Sequence, residues 1–183
     1  MIRSDRSFPS AEFMFDGSLR SCSGFGAVVG LSSFLRRSAM ATSSNPDCLR
    51  LAVVGAHLSG MSLNHQLTAR NGVFVEKTTT AKKYRLYRLI DTAPPKPGLS
   101  RCDNEAGAAI EVESWDLPLY AVGSFLAGVP APLGLGTLEL LDGRTVHGFI
   151  CEGYAIRNGI DITSFGGWRN YCNSLLQLAA PQD

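Results

Sequence analysis

His57, His65 and His147 are the only side chains in this sequence whose ordinary titration falls near neutral pH. His57 stands in LAVVGAHLSGMSLN, residues 51–64, where the apolar run Leu51, Ala52, Val53, Val54 breaks into a turn bracketed by Gly55 and Gly60. A short apolar run closed by glycine reads as a buried strand. Strand ends that open toward a helix N-terminus direct backbone N–H groups outward, where they hold anions. A histidine there either exchanges protons with a bound anion or fills space. His65 follows Ser62 closely and reads as a first-turn or surface residue. His147 alternates with Thr145 and Phe149 and reads as a half-buried strand residue.

Cations supply the other half of such a site. Lys82, Lys83, Arg85 and Arg88 run beside Tyr84 and Tyr87, and Lys96 sits between prolines in PPKPG at 94–98. Lys82 and Lys83 read as a solvated strand face. A lysine on a proline brace loses little conformational entropy when it binds a carboxylate, which singles out Lys96. The chain carries no G-x-S-x-G elbow, no P-loop, no H-E-x-x-H and no carboxylate–histidine cluster at metal spacing. Serine-nucleophile and metal chemistry are therefore not expected, and no cofactor is.

The elements that must position these groups come in short alternation from residue 49 onward. Ser62 is expected to cap a brief helix through Arg70, with Leu63 and Leu67 on one side and Asn71-Gly72 at its end. VFVEK, YRLYRLI and AAIEVESWDL read as strands. Asp116 is expected to cap a helix that tolerates Pro118 in its first turn and buries Leu119, Val122 and Leu126; Gly128, Pro130 and Pro132 stop it. In LGTLELLDGRTVHGFICEGYAI two apolar runs meet at Asp142-Gly143, a dipeptide suited to a tight hairpin turn. DITSFGGWRNYCNSLLQL reads as a glycine-rich loop and a closing helix. Strands and helices mix without regular alternation, so a small mixed sheet or barrel with helices around it is expected.

Composition narrows the function classes. The 183 residues suit one ordinary domain and an appendage, and 17 Lys and Arg against 16 Asp and Glu leave no field for nucleic acid or an anionic membrane. Cys22, Cys48, Cys102, Cys151 and Cys172 are odd in number and never spaced C-x-x-C, which fits reduced thiols in a soluble cytoplasmic protein. No apolar run approaches the roughly 20 residues that cross a bilayer. Residues 1–47 are rich in serine and arginine and lack periodicity, an expected poorly packed extension. Organelle targeting remains open for it, as does a true start at Met40. The glycines of SGFGAVVG have the wrong spacing and no preceding strand for a dinucleotide fingerprint.

VVGAHLSGMSLN, YRLYRLI, PPKPGL, AIEVESWDLP, GSFLAGVPAPLGLGTLEL, DGRTVHGFICEGYAI and DITSFGGWRNY, in this order, resemble the C-terminal domain of allophanate hydrolase. The resemblance covers residues 49 to about 172, and the domain is taken as 48–178. It implies an α+β chain with the gamma-glutamyl cyclotransferase-like fold, a compact mixed β-barrel flanked by helices. It also implies decarboxylation of N-carboxycarbamate, the product that an amidase makes from allophanate in urea breakdown, with His57 as catalytic acid. The substrate would meet the turn at Gly55, Ala56, Leu58 and Ser59, with Lys96 and Arg85 as cations and Gly98 in the brace. Asn64, Tyr84 and Tyr154 would be orienting groups, or plain packing and turn residues.

The sequence departs from that pattern in places. Ser62 stands where the family's turn usually has proline. The Ser-Ser-Lys amidase arrangement is missing, so no amide hydrolysis is expected of this chain. No acid lies between Asp116 and Glu139, where a cyclotransferase would need its general base. A gamma-glutamyl cyclotransferase-like lyase would have to draw that carboxylate from Glu111, Glu113 or Glu152. A non-catalytic module docking on a separate amidase is the third reading. In each, the expected partner is a small anionic carboxylate or a protein, with no nucleic acid and no membrane.

Overall fold

Leu51, Ala52 and Val53 are buried on both faces because their strand, β1 (Cys48–Val53), lies in the middle of a sheet. The structure, a computed structural model, describes residues 46–90, 92–102 and 106–179. The readings placed on residues 1–45 lie outside these. β1 pairs antiparallel with β5 (Glu111–Pro118) and parallel with β7 (Thr145–Cys151). β2 (Val73–Thr79) and β6 (Leu133–Glu139) complete a five-stranded sheet in the order β2-β5-β1-β7-β6. A second, three-stranded sheet has the order β4-β3-β8, from β3 (Tyr84–Leu89), β4 (Lys96–Arg101) and β8 (Ile160–Asp161). Helices α1 (His65–Thr68), α2 (Leu119–Leu126), α3 (Gly153–Ile156) and α4 (Trp168–Ala179) lie between and after them.

The expected α+β class holds, but the described strands form two separate sheets rather than the expected closed barrel. The Asp142-Gly143 hairpin forms as expected: Leu140 N–H bonds Arg144 O, and Gly143 has φ +86°. β6 and β7 then pair in unbroken register from Leu133–Cys151 to Glu139–Thr145.

Two helix starts differ from expectation. Ser62 is exposed, and the residue before α1 is Asn64, whose side chain makes no capping bond. Asp116 belongs to β5, where Arg50 of β1 takes both its oxygens at 2.8 and 2.7 Å. A bidentate guanidinium outcompetes a neutral backbone N–H for a carboxylate, so α2 starts instead after Pro118. Its buried face is Ala121 and Phe125, whereas Leu119 is 53% exposed. His147, expected to be half-buried, points to solvent because its neighbours Val146 and Gly148 take the inner face of β7.

Tyr84 joins the two sheets. It starts β3, is 0% exposed, and its phenol oxygen accepts the N–H of Glu139 at the end of β6 at 2.8 Å. Thr80, also buried, does similar work between them, accepting the Ile110 N–H and donating to Ala81 O. Removing the Tyr84 hydroxyl orphans a partly buried amide, a loss of about 1–3 kcal/mol. Tyr84→Phe should therefore lower the unfolding free energy by about 1–3 kcal/mol, read from the denaturant midpoint and slope.

Candidate functional site

The turn after β1 folds on itself. Leu58 N–H bonds Gly55 O, Leu63 N–H bonds Ala56 O, and Asn64 Nδ2 holds His57 O at 2.9 Å. These bonds consume the turn's carbonyls and leave the N–H groups of Gly55, Ala56 and His57 without an intramolecular acceptor among the described residues. An unspent run of backbone donors is the feature that suits a turn to anions.

Gly55 is required sterically. A Cβ there would stand 2.4 Å from Pro97 Cγ, because β4 of the second sheet crosses directly over the turn. That crossing brings Lys96 to His57. The two line one cavity of about 170 Å³ with Val54, Gly55, Ala56, Leu63, Gln66, Pro97, Gly128, Val129, Pro130, Leu133 and Phe149. A water takes roughly 30 Å³ in the liquid, so the space suits a small molecule. Thr92 Oγ1 accepts the Lys96 N–H at 3.0 Å and fixes the start of the brace. The Lys96 ammonium has no carboxylate partner among the described residues, and no Asp or Glu lines the cavity.

His57 is held by neighbours from several elements. Its Nε2 lies 3.0 Å from Gln66 Oε1, the Phe125 ring of α2 meets it edge-on at 5.1 Å, and the Phe149 ring of β7 stacks on it at 6.2 Å. Burial among these rings lowers the imidazole pKa from 6.5, the Gln66 bond opposes that shift, and His65 and Arg70 add to it. The environment therefore favours the neutral ring in the free protein.

Beneath the turn lies a buried carboxylate. Glu113 of β5, 3% exposed, accepts Ser59 N–H and Ser59 Oγ–H at 2.7 Å each and Trp115 Nε1–H at 3.3 Å. Arg169 of α4 donates to its other oxygen at 3.1 Å and to Ser59 O at 2.8 Å. Turn, sheet and closing helix are thereby tied at one point.

Of the residues expected from the sequence, the structure brings Gly55, Ala56, His57 and Lys96 to the cavity, with Asn64 behind the turn. The others lie elsewhere. Leu58 is a core residue, and Ser59 is spent on Glu113. Tyr84 is between the sheets, and Arg85 pairs with Asp161. Gly98 is packed against Cys151 and Leu89, and Tyr154 is 53% exposed on a separate hollow with Thr92 and Asn158. Tyr84 and Arg85, adjacent on β3, face opposite ways, Tyr84 into the core and Arg85 toward Asp161. Gln66, Phe125 and Phe149 went unnoticed as site residues. Gln66 carried the one available signal, a polar side chain one turn beyond a histidine-bearing loop.

A sequence model of the allophanate hydrolase C-terminal domain family matches residues 49–173. The urea amidolyase of Lachancea kluyveri is 43% identical over 140 residues, which is 75% of this chain and 8% of that protein. Allophanate hydrolase of Kluyveromyces lactis superposes with a TM-score of 0.68 at 40% identity, covering 70% of this chain and 21% of that one. A uropathogenic E. coli-specific protein superposes with a TM-score of 0.64 at 34% identity, over 69% of this chain and 96% of its own. This chain thus spans less than a tenth of the curated relative it matches.

The lowered His57 pKa has a consequence for stability. Below the unfolded value of about 6.5 the unfolded chain takes up this proton more readily than the folded one, so the contribution is complete above that pH and is lost as pH falls toward the folded pKa. Chemical denaturation should show wild type losing stability below about pH 6.5 more steeply than His57→Gln. Parallel curves would show that His57 is not desolvated.

Proposed function

The chain belongs to the allophanate hydrolase C-terminal domain family, and from that premise we propose that it decarboxylates N-carboxycarbamate, or a closely related small dicarboxylate, in the cavity of His57 and Lys96. The observation that carries this reading is the meeting of unspent N–H groups at Gly55–His57, the Lys96 ammonium and a histidine in one hollow where no described residue supplies an acid. One substrate carboxylate lies against the Lys96 ammonium and the turn's donors. The bond between nitrogen and the second carboxyl carbon breaks, carbon dioxide leaves, and the electron pair stays on nitrogen. That nitrogen takes a proton from the His57 imidazolium, leaving carbamate.

The cyclotransferase-like alternative needs a carboxylate base in the cavity. None lines it. Glu113, the nearest by chain position, is engaged by Ser59, Trp115 and Arg169. Glu111 is held by Lys77 and Arg169, and Glu152 is exposed ahead of α3.

N-carboxycarbamate is unstable, so the assay supplies it continuously. Purified protein is added to an allophanate hydrolase restricted to its amidase domain, and carbon dioxide release is compared with the unassisted rate. Wild type should accelerate release, and His57→Ala should lose about a hundredfold or more of that acceleration, the usual contribution of a general acid. Lys96→Met should act mainly through KM. Equal acceleration by wild type and His57→Ala would remove His57 from the reaction and favour a docking module. Formation of 5-oxoproline from gamma-glutamyl peptides would overturn the decarboxylase reading.

A further inference from the structure

Charge balance in the cavity has an outcome that the reaction alone does not require. Among the described residues Lys96 is the one cation in the lining and no carboxylate faces it, and the walls at Val54, Leu63, Pro97, Val129, Leu133 and Phe149 are apolar. A monocarboxylate would be neutralised there by Lys96. A dicarboxylate would leave its second charge in low dielectric without a counter-charge, faced at most by the turn's neutral N–H donors, which is unfavourable. We propose that a dicarboxylate enters this cavity together with one proton, which settles on Nδ1 of His57 while Gln66 holds Nε2.

Gln66 makes this economical. Its Oε1 lies 3.0 Å from Nε2, and Nδ1 has no hydrogen-bond partner among the described residues. The Nε2–H can donate to that amide oxygen in both the neutral and the charged ring, so loading Nδ1 requires no reorientation. The charged and titratable groups around the ring are His65 and Arg70 from the α1 side and Lys96 from β4, while α2 and β7 present Phe125 and Phe149. None is an anion, so no described residue around the empty cavity holds an imidazolium. A bound dianion reverses the sign of the local field and supplies what is missing.

The inference rests on the proposed decarboxylation for its meaning, because the proton loaded on binding is the one the leaving nitrogen takes. Its physical content is separable. Malonate is a dicarboxylate that does not react here, and propionate is its monocarboxylate counterpart. Their binding to the full chain is measured calorimetrically in two buffers of different ionisation enthalpy at about pH 7.5. Malonate should bind with uptake of roughly one proton and propionate with none.

His57→Gln should lose the uptake and bind malonate about tenfold more weakly. Gln66→Glu places an anion on Nε2, keeps the ring charged in the empty cavity and should also abolish uptake. Nitrogen chemical shifts of His57 in the free protein should report a neutral ring protonated at Nε2. Malonate binding without proton uptake, uptake that survives His57→Gln, or failure of malonate to bind would each overturn the proposal. Intact uptake with no acceleration of carbon dioxide release would sink the decarboxylase reading and leave this one standing; acceleration without uptake would do the reverse.

Discussion

The buried carboxylate of Glu113 is the constraint on which the site depends. An ionised group at 3% exposure is tolerable only when donors surround it, and here they come from the turn (Ser59), the same strand (Trp115) and the closing helix (Arg169). Each donor belongs to a part of the fold that would otherwise be free to shift. Satisfying one charge therefore fixes the turn that carries His57 against β5 and α4. Glu111 extends the arrangement outward through Lys77 and Arg169.

On its other side the turn is fixed by close packing. Pro97 passes so near Gly55 that no side chain fits between them, and Gly98 lies in β4 within reach of Cys151. The second sheet is thus seated against the first at the point where Lys96 must reach the cavity. Tyr84, in the core between the sheets, holds the opposite end of β3 to Glu139. Two sheets docked at both ends hold a lysine and a histidine from distant chain positions at a constant separation, which is the preorganisation a small anionic ligand needs.

What could be read from the sequence was local, and what could not was long-range. The apolar run at 51–54, the Asp-Gly hairpin and the histidine in a glycine-flanked turn announce themselves within a few residues of chain. The failed caps at Ser62 and Asp116 show the limit: both are good capping residues, and Asp116 is diverted by Arg50, 66 positions away. Arg85 stood beside Lys96 as a second cation in sequence, and the structure spends it on Asp161 of the neighbouring β8. The aromatic walls of His57 come from α2 and β7, and no periodicity in either element marks Phe125 or Phe149 as facing a histidine.

An apolar hollow is a poor place for two carboxylates and a good place to lose one. In the proposed reaction the bound species carries charge concentrated on carboxylate oxygens, whereas carbon dioxide is neutral and the transition state spreads its charge over the breaking bond. Walls such as Val54, Leu63, Leu133 and Phe149 solvate concentrated charge badly and dispersed charge less badly, so they raise the ground state more than the transition state. The same walls strengthen every interaction that remains, between the Lys96 ammonium and the retained carboxylate and between imidazolium and nitrogen. A cavity lined with acids would hold a permanently charged histidine and repel the substrate. The absence of any Asp or Glu among the described lining residues is therefore as much a part of the proposed chemistry as the histidine itself.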